Sequence, residues 1–193
     1  MKVALGFFGI TRSLKYTIDS IQSNILDVLK SNNVSYEIFI HTYFLDDYVN
    51  VRACEKIKKD KINNSEFKLL NPNFVVQENQ NLIKKKLKLE SYRTKKDPWN
   101  SRYNSVDNFI LGSYSKYYLT NMIEKRKVKY DYILFIRPDC LYLNKLNLDF
   151  FKYVSDNKIV IPDFHNIGKY NINDRFAITN LKTYKIYGKV FVK

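Results

Sequence analysis

The sequence predicts an α/β fold built on a mostly parallel sheet flanked by helices, and three observations carry that expectation. Apolar runs of β-forming residues alternate with segments of helical spacing, the first unit reads β, loop, α, β, and the later run YILFI again follows a long amphipathic stretch. Parallel strands joined through helices are what such alternation produces.

The first run, KVALGFF (2–8), reads as a buried strand that Gly9 breaks before the polar ITRS. Over residues 13–29 the apolar side chains Leu14, Ile18, Ile21, Ile25, Leu26 and Leu29 form one core-facing helical stripe. SNN (31–33) ends that helix, and YEIFIHTY (36–43) is a second strand, buried at Ile38 and Ile40. In FKLLNPNFVVQEN (67–79) a third strand occupies 74–77, because Pro72 forbids one continuous element. KKDPWN (95–100) is a loop. A long helix over about 105–125 presents Phe109, Ile110, Tyr114, Tyr117, Tyr118, Asn121 and Met122, and it feeds a strand at 132–136. Beyond lie a short helix near 148–154, a strand KIVIP (158–162), the loop HNIGKYNIND (165–174) and a last helix from about Asn180. No internal repeat or low-complexity linker interrupts this order.

A chain of 193 residues is expected to form a single domain, 1–193, with room for a core and a cleft beside it. With 45% hydrophobic and 27% charged residues, wholesale disorder is excluded. Thirty-three Lys and Arg against 19 Asp and Glu give a net charge of +14. Such a field suits a polyanion, an anionic lipid surface or a phosphorylated substrate. The abundance of Lys, Asn, Ile and Tyr is also what an AT-rich genome encodes. The lysines are dispersed apart from 56–61 and 84–88, short runs that read as solvated helix faces, so charge alone does not choose a partner. Cys54 and Cys140 lack metal-ligand spacing and imply neither a disulfide framework nor a zinc site. No apolar run approaches the ~20 residues of a membrane span, and MKVALGFFG is too short for a signal peptide. A cytoplasmic protein without a membrane span is expected.

In parallel α/β sheets ligands collect at the carboxyl ends of the strands, and three such ends carry unusual polar groups. In GFFGITRS, Gly6 and Gly9 permit close backbone approach, and Arg12 at the entry to the first helix suits an anion such as a diphosphate; a glycine turn with an exposed arginine is as often plain structure. In HTY (41–43), His41 reads as a satisfied, partly buried side chain, while Tyr43 is placed to stack on a base. In RPDC (137–140), Pro138 stops ladder pairing and Asp139 is presented at the sheet edge. Two readings stand even there: an Arg137–Asp139 pair closing a turn, or a carboxylate holding Mg²⁺ or Mn²⁺ against phosphates.

Taken together, KVALGFFGITRSL, FIHTY, NFILGSYSKYYL, YDYILFIRPDCLYL and NDRFAI (173–178) resemble, in order and over most of the chain, the GT-A-like nucleotide-sugar glycosyltransferases of large DNA viruses and bacteria. The resemblance implies a GT-A-like, Rossmann-like sheet and transfer of a sugar from a UDP- or GDP-sugar to an acceptor hydroxyl on a glycan or glycoprotein, in the host cytoplasm if the protein is viral. It implies that Asp139 is the metal-binding carboxylate of a DxD-type motif holding Mn²⁺ or Mg²⁺ at the diphosphate. Arg137 would brace that loop or neutralise phosphate charge, Gly9, Thr11 and Arg12 would line the nucleotide end, and Asp174 would be the catalytic base on the acceptor side, oriented by Arg175. Leu141 stands where a full DxD puts its second acid. The chain stops at Lys193, shorter than many GT-A enzymes, which leaves a late metal ligand or acceptor wall unaccounted for. Asp163 and His165 are alternative polar groups near the same edge. A basic nucleic-acid-binding protein and a degenerate transferase kept as a binding module are the competing expectations.

Overall fold

A computed structural model of the chain describes residues 1–51, 54–58, 61–97, 99–164 and 173–192. Its main sheet contains β1 (Lys2–Phe8), β2 (Ser35–Phe44), β5 (Phe74–Asn79), β6 (Tyr132–Ile136) and β7 (Phe176–Thr179), in the order β5-β2-β1-β6-β7. β1 pairs in parallel with both β2 and β6, β2 pairs in parallel with β5, and β7 runs antiparallel to β6. A mixed α/β protein with a mostly parallel sheet flanked by helices is thus what the sequence builds. The chain lays down β1, β2 and β5 in one direction and then returns to place β6 on the other side of β1. The strand order therefore reverses between β1 and β6.

Both faces of β1 are buried, which is why its sequence is apolar throughout rather than alternating. Val3, Leu5 and Phe7 join Leu14, Ile21, Ile25 and Leu29 of the first helical segment. That segment comprises α1 (Leu14–Ile21), a π turn (Gln22–Leu26) and α2 (Asp27–Ser31). Ala4 and Phe8 face the other way, onto Leu119 and Ile123 of α4 (Asn104–Lys125) and Tyr184 of α5 (Tyr184–Gly188). Two close approaches need glycine. A Cβ on Gly6 would lie 2.6 Å from Leu119 Cδ2, and one on Gly188 would lie 1.9 Å from Thr120 Oγ1. Gly6 thus seats α4 on the sheet and does not face a ligand.

A hairpin of β3 (Tyr48–Asn50) and β4 (Glu55–Ile57), together with α3 (Gln80–Leu87), covers the β2–β5 side of the carboxyl edge. Tyr43, Leu45, Tyr48, Ile83, Leu111 and Tyr114 form a separate apolar cluster there.

HTY closes β2 as expected, the strand running one residue further to Phe44, which still pairs with Asn79. Three expectations about elements need correction. β5 extends two residues past Gln77, since Glu78 and Asn79 still pair with Tyr43 and Phe44. KIVIP forms no strand; only Val160 bridges Ile178, after a turn that pairs Ser155 with Lys158 has used up the segment's length. The last helix begins at Tyr184 rather than Asn180, whose side-chain oxygen instead accepts the Lys182 and Thr183 N–H groups in the turn before it.

Candidate functional site at the carboxyl edge of the sheet

The crevice outside the carboxyl ends of the strands, where strand order reverses, is the favoured ligand position in open α/β sheets. Here that crevice lies between the ends of β1 and β6. Because β7 is antiparallel, its amino end meets the same edge, and the Arg137 N–H donates to Arg175 O at 3.0 Å. Gly9, Arg137, Asp139, Asp174 and Arg175 are thereby brought to one edge. Pro138, lacking an N–H, ends the pairing one residue later.

The RPD turn is held from below by polar residues of the first helical segment. Thr17 Oγ1 donates to Pro138 O at 2.6 Å, the Tyr142 N–H donates to Ser20 Oγ at 3.1 Å, and Asn24 Nδ2 donates to Tyr142 O at 2.6 Å. The Tyr142 hydroxyl closes the loop onto Arg137 O at 3.1 Å. Thr17, Ser20 and Asn24 stand at i, i+3 and i+7, a polar stripe beside the apolar one. That spacing was visible in the sequence and points to a docked loop.

Within the turn, Arg137 grips Asp139 with two parallel bonds, Nε to Oδ1 at 2.9 Å and Nη2 to Oδ2 at 2.5 Å. Burial opposes the Arg137 charge, yet the adjacent Asp139 carboxylate outweighs it and raises the guanidinium pKa. Of the two readings of RPD, the geometry is that of the turn-closing pair. A divalent ion would find one acid at this position with both oxygens already engaged, Leu141 60% exposed beside it, and among the described residues no cluster of three metal-ligating side chains. The described residues of the turn do not fit a resident ion.

Asp174 is half-buried and makes no hydrogen bond among the described residues. Arg175 lies over the Phe164 ring at 6.0 Å, and its side chain carries no ion pair among the described residues. Sequence reasoning missed two further groups. Lys116 of α4 is only 6% exposed, and its Nζ lies 4.6 Å from the centre of the Tyr187 ring and 5.6 Å from that of Phe8. The Tyr187 hydroxyl is buried without a hydrogen-bond partner among the described residues. A lysine inside NFILGSYSKYYL was a signal that went unused, because lysine is almost never fully buried unless paired.

The β2–β5 side of the edge differs from the expectation. Gly9 has a φ of +98°, the left-handed region that favours glycine, and its N–H points at Ser115 Oγ (2.8 Å). Thr11 is buried against Thr42, with the hydroxyls 3.3 Å apart. Arg12 does not face a ligand: Nη1 pairs with Glu55 Oε1 at 2.8 Å, Nη2 donates to Tyr48 OH at 3.1 Å, and the guanidinium stacks 4.0 Å above the Tyr48 ring. It pins the β3–β4 hairpin. Tyr43 is 2% exposed and donates to Leu111 O at 2.7 Å, so it cannot stack on a base. His41 is the satisfied buried side chain expected of it, with Nε2 2.9 Å from Glu78 Oε2 and Nδ1 2.8 Å from Ser115 Oγ. Burial holds its pKa below 6.5 although Glu78 pulls the other way. The Ser115 hydroxyl, which accepts the Gly9 N–H, has His41 O at 3.0 Å and Nδ1 at 2.8 Å within reach, so side chain and main chain of His41 are both tied to it. Asp163 has partners of its own, and His165 lies outside the described residues.

An open apolar groove of about 530 Å³, lined by residues including Phe39, Phe74, Met122 and Arg126, lies toward the amino ends of β2 and β5, away from these groups. Among the described residues no helix is long and apolar enough to cross a membrane. The chain matches no protein-family model, and no curated protein is significantly similar to it.

Proposed function

We propose that the protein is a glycosyltransferase that moves a sugar from a nucleoside-diphosphate sugar, UDP- or GDP-linked, to an acceptor hydroxyl of a glycan or glycoprotein. The observation that carries the reading is the reversal of strand order between β1 and β6, which brings Gly9, Arg137, Asp174 and Arg175 to one crevice. The acceptor oxygen attacks the anomeric carbon as the bond to the diphosphate oxygen breaks, and Asp174 takes the hydroxyl proton. Charge developing on the departing diphosphate is met by fixed cations at the edge, Arg137 and Arg175. Arg137 is oriented for this by Asp139. The Mn²⁺ or Mg²⁺ implied by the family resemblance enters no step, because Asp139 is already committed to Arg137.

A thermal-shift and calorimetric screen with UDP- and GDP-sugars, with and without Mn²⁺, is expected to give at least one nucleotide that raises Tm and binds. Indifference to every nucleotide overturns the proposal. Asp174→Asn should keep donor affinity while slowing transfer about a hundredfold or more. The closed Arg137–Asp139 pair also favours a second reading, a degenerate transferase acting as a binding module. It predicts nucleotide binding with no release of nucleoside diphosphate in the presence of any acceptor.

A further inference from the structure

We propose that Lys116 is the phosphate-holding cation of this crevice, donating hydrogen bonds to phosphoryl oxygens of the bound diphosphate. That the phosphate belongs to a sugar nucleotide rests on the transferase reading; that an anion binds here rests on the side chain and its surroundings.

An ammonium group removed from water is costly unless it is paired. Lys116 is 6% exposed, yet among the described residues its ammonium makes neither a hydrogen bond nor an ion pair. Its contacts are the faces of Tyr187 and Phe8, which attract a cation without using its three N–H donors. The charged groups it senses are Asp174, which favours its ammonium form, and Arg137, which opposes it; burial outweighs both and holds its pKa below 10.5. Asp174 is close enough to be felt but does not bond to it.

The neighbouring unsatisfied group has the same character. The Tyr187 hydroxyl, buried and without a partner among the described residues, has a proton to give, and Lys116 Nζ lies over its ring. Two donors from α4 and α5 therefore meet where, among the described residues, no acceptor answers them, with Asp174 the carboxylate that both sense. The complementary occupant is anionic and rich in acceptor oxygens, which describes a phosphoryl group. A water molecule supplies acceptors but no charge. Lys116, Arg137 and Arg175 against Asp139 and Asp174 leave one positive charge in excess at this edge, the sign a diphosphate requires.

The test uses the full chain and inorganic pyrophosphate, followed by calorimetry in EDTA, with UDP, GDP, uridine, guanosine and malonate in parallel. Pyrophosphate is expected to bind the wild type and to protect Lys116 from amine acylation read by mass spectrometry, a measurement that needs no variant. Lys116→Met is expected to weaken pyrophosphate at least tenfold while melting no lower than wild type, since it removes a buried charge and keeps the packing. Nucleotide binding with undiminished affinity in Lys116→Met and no protection of Lys116 overturns the inference and leaves the transferase reading standing. Pyrophosphate binding and protection without binding of any nucleotide keeps Lys116 and discards the transferase. Failure of the wild type to bind pyrophosphate, or binding of malonate as tight as pyrophosphate, overturns the assignment of a phosphate.

Discussion

Two halves of one sheet edge are built to opposite rules. On the β2–β5 side most polar side chains are answered within the protein: Glu78, His41, Ser115 and the Gly9 N–H form a continuous chain of contacts, and Arg12 is paired with Glu55, its Nε alone lacking a partner among the described residues. On the β6–β7 side Lys116 and the Tyr187 hydroxyl meet under the influence of Asp174 and stay unanswered among the described residues, while Arg137 nearby is held by Asp139. Folding alone explains the first half, because satisfied buried groups stabilise and rigidify. It does not explain the second, where each unsatisfied buried group costs about 1–3 kcal/mol. An unanswered cluster beside an answered one is the physical signature of a place meant for something else.

The comparison can be broken at its satisfied half first, where the largest effect is expected. His41→Ala strips the Glu78 carboxylate of its ring partner and leaves a cavity where a fully buried ring stood, and should destabilise the fold by about 3 kcal/mol or more in urea denaturation. A loss below about 1 kcal/mol would mean that this half is not a structural lock. Pyrophosphate affinity of the folded fraction should not change.

A smaller effect is expected from Asp139→Asn. The pair is partly exposed, so the loss of stability should be about 1 kcal/mol. Releasing Arg137 should raise pyrophosphate affinity several-fold in EDTA. A fall in affinity seen only with Mn²⁺ would instead make Asp139 an ion ligand and move the boundary between the two halves.

The smallest effect is a slope with pH. The folded His41 pKa is depressed by burial below 6.5, so the unfolded chain binds the proton first and stability falls as pH drops through that value. Glu78, held below 4.5 chiefly by its bond from His41, contributes stability above 4.5 that is lost as pH falls through its folded pKa. The Tm gap between wild type and His41→Ala should therefore narrow from pH 7 to pH 5. A constant gap would show that His41 does not titrate out of this network.

Much of the fold was legible because it rests on local pattern. The double-sided burial of β1 made KVALGFF apolar throughout, and the stripe of Leu14, Ile21, Ile25 and Leu29 gave the first helix. The position of RPD at a strand end was equally plain, since Pro138 has no N–H to give. What was not legible depended on partners distant in sequence. Glu78 lies 37 residues from His41, and Glu55 lies 43 from Arg12, so nothing local marked Arg12 as already taken or named the partner of His41. Tyr43 looked exposed because its ceiling, Leu111, arrives from a helix 68 residues later. Lys116 was passed over for the converse reason: its one mark, a lysine within the apolar and aromatic run NFILGSYSKYYL, is easily lost in a chain so rich in lysine.

The π turn in the first helical segment has a bearing on how freely this protein can vary. There the Asp27 N–H reaches back five residues to Gln22 O, and the Asn24 carbonyl accepts the Leu146 N–H at 2.8 Å. The far end of the loop after RPD is thus tethered by main chain to main chain. Substitutions at its outward-facing Leu141 and Leu143, 60% and 78% exposed, leave that tether untouched. The loop can drift in sequence without drifting in place, whereas deleting one residue from Gln22–Leu26 would cast it off while every side chain of the loop stayed the same.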